Sequence, residues 1–82
     1  MVSKKMLAEL SKEVDRKVYF EYGTLFFNRR LIDIRRVSEI LKKYKYYIYT
    51  IGVDNSNSLY VDIERLGWRS TAVIYLRSIQ RR

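Results

Sequence analysis

The chain has 82 residues, of which 17 are Lys or Arg and 9 are Asp or Glu, giving a formal charge of +8, and it contains no His, Cys or Pro. A chain of this size is expected to form one domain over residues 1–82. Such a domain buries only about 60% of the surface of its unfolded form, and without thiols it must hold together by helix and sheet packing alone. The missing His and Cys exclude the usual hydrolytic triads, imidazole bases and zinc chemistry, while the positive charge predicts attraction to a polyanion.

Residues Ser3 to Lys17 carry Met6, Leu7, Leu10 and Val14 at the spacing of one helical face, with Ser3 as N-cap, and predict a helix over 3–17. Glu9, Lys12, Glu13, Arg16 and Lys17 give it a mixed, solvated outer face. From Val18 to Phe27 the residues turn aromatic and β-branched, with Gly23 as punctuation. Two short strands about Tyr22 and Gly23 are the simplest account, and a helix starting near Thr24 stays open. Asn28 offers a cap before Arg29, and Asp33 offers negative charge near the start of the next helix.

Apolar residues then fall at Ile34, Val37, Leu41, Tyr44, Ile48 and Ile51 in alternating steps of three and four, and a second helix is predicted over 31–44. On it Arg29, Arg36 and Lys43 lie seven apart and Arg35 with Lys42 forms a neighbouring stripe, since seven residues is nearly two turns. The stretch from Tyr44 to Val53 is built of strand-favouring residues and is followed by the loop GVDNSNS and the alternating LYVDIE. A β-hairpin over 46–64 is therefore expected, with Leu59, Val61 and Ile63 inward and Tyr60, Asp62 and Glu64 outward. If the three-four spacing instead carries the helix on to Ile51, that hairpin disappears. The tail suits a third strand through Thr71, Val73, Ile74 and Tyr75, or a helix over 70–80 with Ala72, Leu76 and Ile79 inward. Gly67 and Ser70 punctuate it as a helix start requires, which favours the helix. No apolar run is long enough for a membrane span or a signal core, so a cytoplasmic protein with no membrane partner is expected.

No catalytic, metal or cofactor residues are expected. Asp62, Glu64 and Asp54 are the one local carboxylate cluster that could hold magnesium, but acids on the outer face of a strand are ordinarily just solvated. Gly23, Gly52 and Gly67 are scattered and match no phosphate-cradling loop. The usable signal is the mixture of cations and aromatics. Arg29, Arg30, Arg35, Arg36, Lys42, Lys43, Lys45 and Arg69 are the candidate nucleic-acid-binding residues, and Tyr46, Tyr49 and Trp68 are candidates for stacking or for an interface. Tyr44 and Tyr47 are expected in the core, which needs their bulk. The plainer alternative is that the basic residues only solvate helix faces.

Within Arg65 to Gln80, Leu66, Gly67, Ser70, Thr71, Val73 and Leu76 resemble the end of a helix-turn-helix unit. That resemblance implies a last helix reading the major groove. The element order as a whole resembles small archaeal and archaeal-virus winged-helix proteins, which implies instead that the basic helix over 31–44 is the recognition element and 46–64 a wing. The two mappings remain open. Low Gln and Asn with high Lys, Arg, Ile and Tyr is similar to hyperthermophile usage. The expectation is a small α+β domain of winged-helix type that binds nucleic acid, DNA above all, without catalysis. The alternative is an accessory subunit docking through a Tyr-rich surface on a larger replication, transcription or translation protein, such as a DNA polymerase or the ribosome.

Overall fold

A computed structural model describes residues 2–67. They form two helices and a four-stranded antiparallel sheet, in the order α1 (Lys4–Val14), β1 (Tyr19–Glu21), β2 (Thr24–Phe26), α2 (Ile34–Lys43), β3 (Tyr46–Val53) and β4 (Leu59–Arg65). The predicted helix over 70–80 lies outside the described residues.

Ser3 caps α1 as expected, its hydroxyl accepting the Met6 N–H at 3.1 Å. Met6, Leu10 and Val14 are buried. The helix ends at Val14 rather than Lys17, because Asp15 adopts a left-handed φ of 55° and turns its N–H back to the Ser11 carbonyl. Ser11 then fixes the exit. Its hydroxyl donates to the Leu7 carbonyl at 2.7 Å and accepts the Val18 N–H at 2.9 Å, which delivers buried Val18 to the core at the start of β1.

β1 and β2 form the hairpin read from Tyr22 and Gly23. Both turn residues have positive φ, 51° and 79°, the requirement of the tight turn whose twist matches paired strands. Asn28 is not a helix cap but another left-handed position, with φ 54°. α2 starts at Ile34, not at residue 31, because Asp33 is the N-cap and accepts the Arg36 N–H at 3.2 Å. It stops at Lys43, with Tyr44 as C-cap and Lys45 left-handed at φ 68°. The three-four spacing out to Ile51 therefore does not extend the helix. Tyr46 to Val53 instead pairs with β4 as the predicted hairpin. Asp54 closes its loop by accepting the N–H groups of Ser56 and Ser58 at 2.8 and 3.0 Å.

The hairpin does not stand free as a wing. β4 pairs with β2 as well as with β3, giving the strand order β1-β2-β4-β3. Cross-strand partners share a face, so the registers sort the sheet into two surfaces. Phe20, Leu25, Val61, Ile63 and Ile48 face the helices, where Leu25, Val61 and Ile63 join Phe27, Val37 and Leu41 in the buried core. The opposite, open face carries a row of Tyr19, Phe26, Tyr60 and Gly52, then a row of Glu21, Thr24, Asp62 and Thr50, then Glu64 beside Tyr47. The inward and outward sides of β4 are those expected from its alternation.

Gly52 has a positional reason on that face. A Cβ there would run into the ring and hydroxyl of Tyr60, which crosses over β3 and lies 6.3 Å from the Phe26 ring. Gly52→Ala is expected to destabilise the fold by about 1–3 kcal/mol, as overpacking does. In thermal unfolding of the double-mutant cycle, Tyr60→Ala should relieve most of that cost; an unchanged Tm for Gly52→Ala would show that the ring has room to move.

Candidate nucleic-acid interface

The burial of Val37 and Leu41 against the core orients α2 and thereby divides its basic residues into two flanks. Arg36 and Lys43 fall on the flank beside α1. There they meet Glu13 and Glu9, which are four residues apart and so share one face of α1. Arg36 Nε lies 3.3 Å from Glu13, while Lys43 and the Tyr44 hydroxyl both donate to Glu9. Because the later glutamate meets the earlier cation, the two helices run antiparallel. Hydrogen bonds from Lys43 and Tyr44 hold the Glu9 carboxyl below its usual pKa, and the Glu9 carboxylate in turn raises those of Lys43 and Tyr44. Next to this clamp the helices leave a hollow of about 660 Å³ in which Glu9, Glu13 and Glu39 balance Lys12, Arg36 and Lys43. Balanced charge gives it no pull on an anion.

Arg29 is also turned inward. Its Nε donates to the Val14 carbonyl at 2.6 Å and its Nη2 lies 3.8 Å from Asp15, so its cation sits on the C-terminal end of α1, where a helix favours positive charge. The other candidates differ. Arg30, Arg35, Lys42 and Lys45 are exposed, and among the described residues none of them makes an ion pair. Arg35 and Lys42 are two turns apart on the flank away from α1, about 10.5 Å along the axis. Lys42 shares a hollow of about 370 Å³ with Tyr46 and Tyr47. Of the two neighbouring stripes expected from the sequence, one is thus used in packing the helices and the other faces outward. Arg69 and Trp68 lie outside the described residues.

Among the tyrosines, Tyr44 and Tyr46 pack against the core. Tyr47 is not in the core but on the open face, its hydroxyl donating to Glu64. Tyr49 sits at an irregularity in the β3–β4 ladder between Ile48 and Thr50 and is 41% exposed. The open face gathers Glu21, Asp62 and Glu64 around its aromatics. Asp62 accepts hydrogen bonds from Thr24 at 2.5 Å and Thr50 at 2.7 Å, which hold its carboxyl below the usual range. Neither threonine was singled out from the sequence as a partner of this acid, since nothing local brings β2 and β3 to either side of β4. Among the described residues, no three acidic side chains are grouped to hold a metal, and no helix is long and apolar enough to cross a membrane.

The fold and these surfaces define a small α+β protein with a basic helical flank and an acidic, aromatic sheet face. No protein-family model matches the chain, and no curated protein or solved structure does.

The two flanks of α2 should separate in stability measurements. Arg36→Gln is expected to cost about 0.5–1 kcal/mol, the worth of a partly exposed pair, whereas Arg35→Gln should stay within about 0.5 kcal/mol of the parent. The lowered carboxyls of Glu9 and Asp62 contribute stability that is present above the ordinary carboxylate range and is lost as pH falls through their folded values. Glu9→Gln and Asp62→Asn should therefore each lower Tm near neutrality and shrink the Tm loss between about pH 6 and about pH 2. A variant with the full parental acid loss would remove that carboxylate from the account.

Proposed function

We propose that the protein binds duplex DNA through the outer flank of α2, by phosphate contact and without catalysis. The observation that carries this reading is the sorting of charge. Once Arg29, Arg36 and Lys43 are engaged within the fold, Arg35 and Lys42 remain exposed on the outer flank of α2, with Arg30 ahead of the helix and Lys45 after it also exposed, while Glu21, Asp62 and Glu64 collect on the opposite sheet face. A phosphate backbone would be drawn to the first surface and repelled by the second. Stacking of single-stranded bases on the sheet is disfavoured for the same reason, because its aromatics stand among carboxylates. The winged-helix likeness of the element order supports α2 as the recognition helix. The β3–β4 hairpin is tied into the sheet by β2, so contact falls to the helix rather than to a wing. A DNA partner would also fit a cytoplasmic location.

A second reading has its own observation. Tyr19 is 54% exposed, Tyr49 41%, Ile51 51% and Val53 53%, which is apolar surface of the kind an accessory subunit presents to a larger replication, transcription or translation protein. An assembly held that way persists at high salt, whereas phosphate contact fades.

For duplex binding by four phosphate contacts, log affinity should fall against log salt with a slope of about −3 to −4. The triple variant Arg35→Gln, Lys42→Gln, Lys45→Gln should flatten that slope to about −1 and weaken binding at low salt by about a hundredfold or more, with little change in Tm. Fluorescence anisotropy with a labelled duplex measures both. The absence of duplex binding at low salt, or a slope that the triple variant leaves unchanged, would overturn the assignment.

A further inference from the structure

At the end of the molecule where α1 exits and the chain leaves β2, three arginines converge on one hollow. Arg16, Arg29 and Arg30, with Asn28, Leu31 and Ser58, line a space of about 440 Å³. Among the described residues the lining contains no carboxylate. Its polar side chains are three guanidiniums, an amide and a hydroxyl, a set rich in hydrogen-bond donors. Two carboxylates stand beside the lining: Asp15, 3.8 Å from one Arg29 nitrogen with a side chain 97% exposed, and Asp54, which accepts the Ser58 N–H at 3.0 Å.

The hollow is also held in shape. Arg29 is pinned by its side chain to the Val14 carbonyl at 2.6 Å and by its own carbonyl, which accepts the Leu59 N–H at 2.7 Å. Asn28 makes the bend with its left-handed backbone, and Asp54 fixes the Ser58 N–H from the far side. A guanidinium already ordered by the fold loses less freedom on meeting a ligand than one on an open helix face.

We infer that this hollow binds a phosphate monoester, the terminal phosphate of a nucleic-acid strand. An internal phosphodiester carries one charge and two free oxygens, whereas a terminal monoester carries close to two charges, with a second pKa of about 6, and three free oxygens. Arg16 and Arg30 can each fork onto a pair of oxygens, and Arg29, whose Nε is held by the Val14 carbonyl and whose Nη2 lies 3.8 Å from Asp15, keeps further N–H donors for a third contact, a set that suits the two charges and three acceptor oxygens of a monoester. Leu31, 86% exposed at the rim, provides an apolar surface for the attached sugar or base. This deepens the DNA-binding reading and rests on it for the source of the phosphate; Arg16, which has no place in the α2 flank, separates the two.

The experiment uses the full chain and one internally labelled duplex prepared with 5′-phosphate, 3′-phosphate or hydroxyl ends, at constant ionic strength. One of the phosphorylated ends should bind about tenfold or more tighter than the hydroxyl end, the effect of one good charge-assisted contact set. Arg16→Gln should abolish that preference while leaving the hydroxyl-ended duplex bound with its salt slope. In parallel, inorganic phosphate should raise the Tm of the parent, and Arg16→Gln should lose that rise. Equal binding of all three duplexes, with no effect of phosphate on Tm, would overturn the inference and leave the α2 reading intact. If no duplex binds at all but a nucleoside 5′-monophosphate raises Tm in the parent and not in Arg16→Gln, the monoester site stands and its ligand is the small ester rather than a DNA end.

Discussion

The pairing of β4 with β2 is the constraint on which the rest of the structure depends. It joins two local hairpins into one sheet, and the register that sets Leu25 against Val61 decides at once which side of every strand is buried. A shift of one residue would bring Tyr60 and Asp62 into the core and leave Val61 and Ile63 in water. Because β2 and β3 flank β4, the chain between them must cross the sheet, and α2 makes that crossing over the apolar face. α1 closes the same face. The two helices therefore lie side by side, and their charged flanks are forced to face each other.

Two charged surfaces follow from that geometry. Placing Glu9 and Glu13 opposite Lys43 and Arg36 consumes like numbers of acids and cations, so the groove between the helices is close to neutral. The acids of β1 and β4 go to the open sheet face, because their strands alternate and their neighbours are inside. Among the described residues, the cations left without an ion pair include Arg35 and Lys42 on the far flank of α2 and Arg16 and Arg30 around the hollow. A molecule polarised in this way would be turned by the field of a polyanion before contact, with the sheet face directed away.

Much of this was legible in the sequence where the signal is local. The Ser3 cap, the Tyr22–Gly23 turn, the end of α2 at Tyr44 and the alternation of Leu59 to Glu64 each depend on residues within a few positions of one another. The boundaries that were missed have causes that composition does not display: Asp15 left-handed with Ser11 bridging to Val18 at one, and Asp33 rather than an earlier residue taking the cap at the other. The candidate interface was legible only in part. A seven-residue spacing shows that Arg36 and Lys43 share a flank, as Arg35 and Lys42 do, but the identity of the neighbour on each flank depends on the β2–β4 pairing, a contact far apart in sequence. Glu13 shows this most clearly. Its cation in the fold is Arg36, not Lys17 one turn on, because the helix ends before that turn is completed.

The engagement of Arg29 within the fold does not remove it from ligand chemistry. A guanidinium has five N–H donors, and the contact with Val14 uses the one on Nε. What the contact does remove is freedom, since a long side chain otherwise gives up a substantial part of its rotamer entropy each time it meets a phosphate. The exposed cations Arg35, Lys42 and Lys45 are placed the other way: among the described residues no ion pair holds them, so they would meet a phosphate backbone mainly through charge. A fixed Arg29 beside Arg16 and Arg30 gives the hollow a shape that the helix flank lacks, and shape is what distinguishes a phosphate terminus from the many equivalent phosphates along a strand.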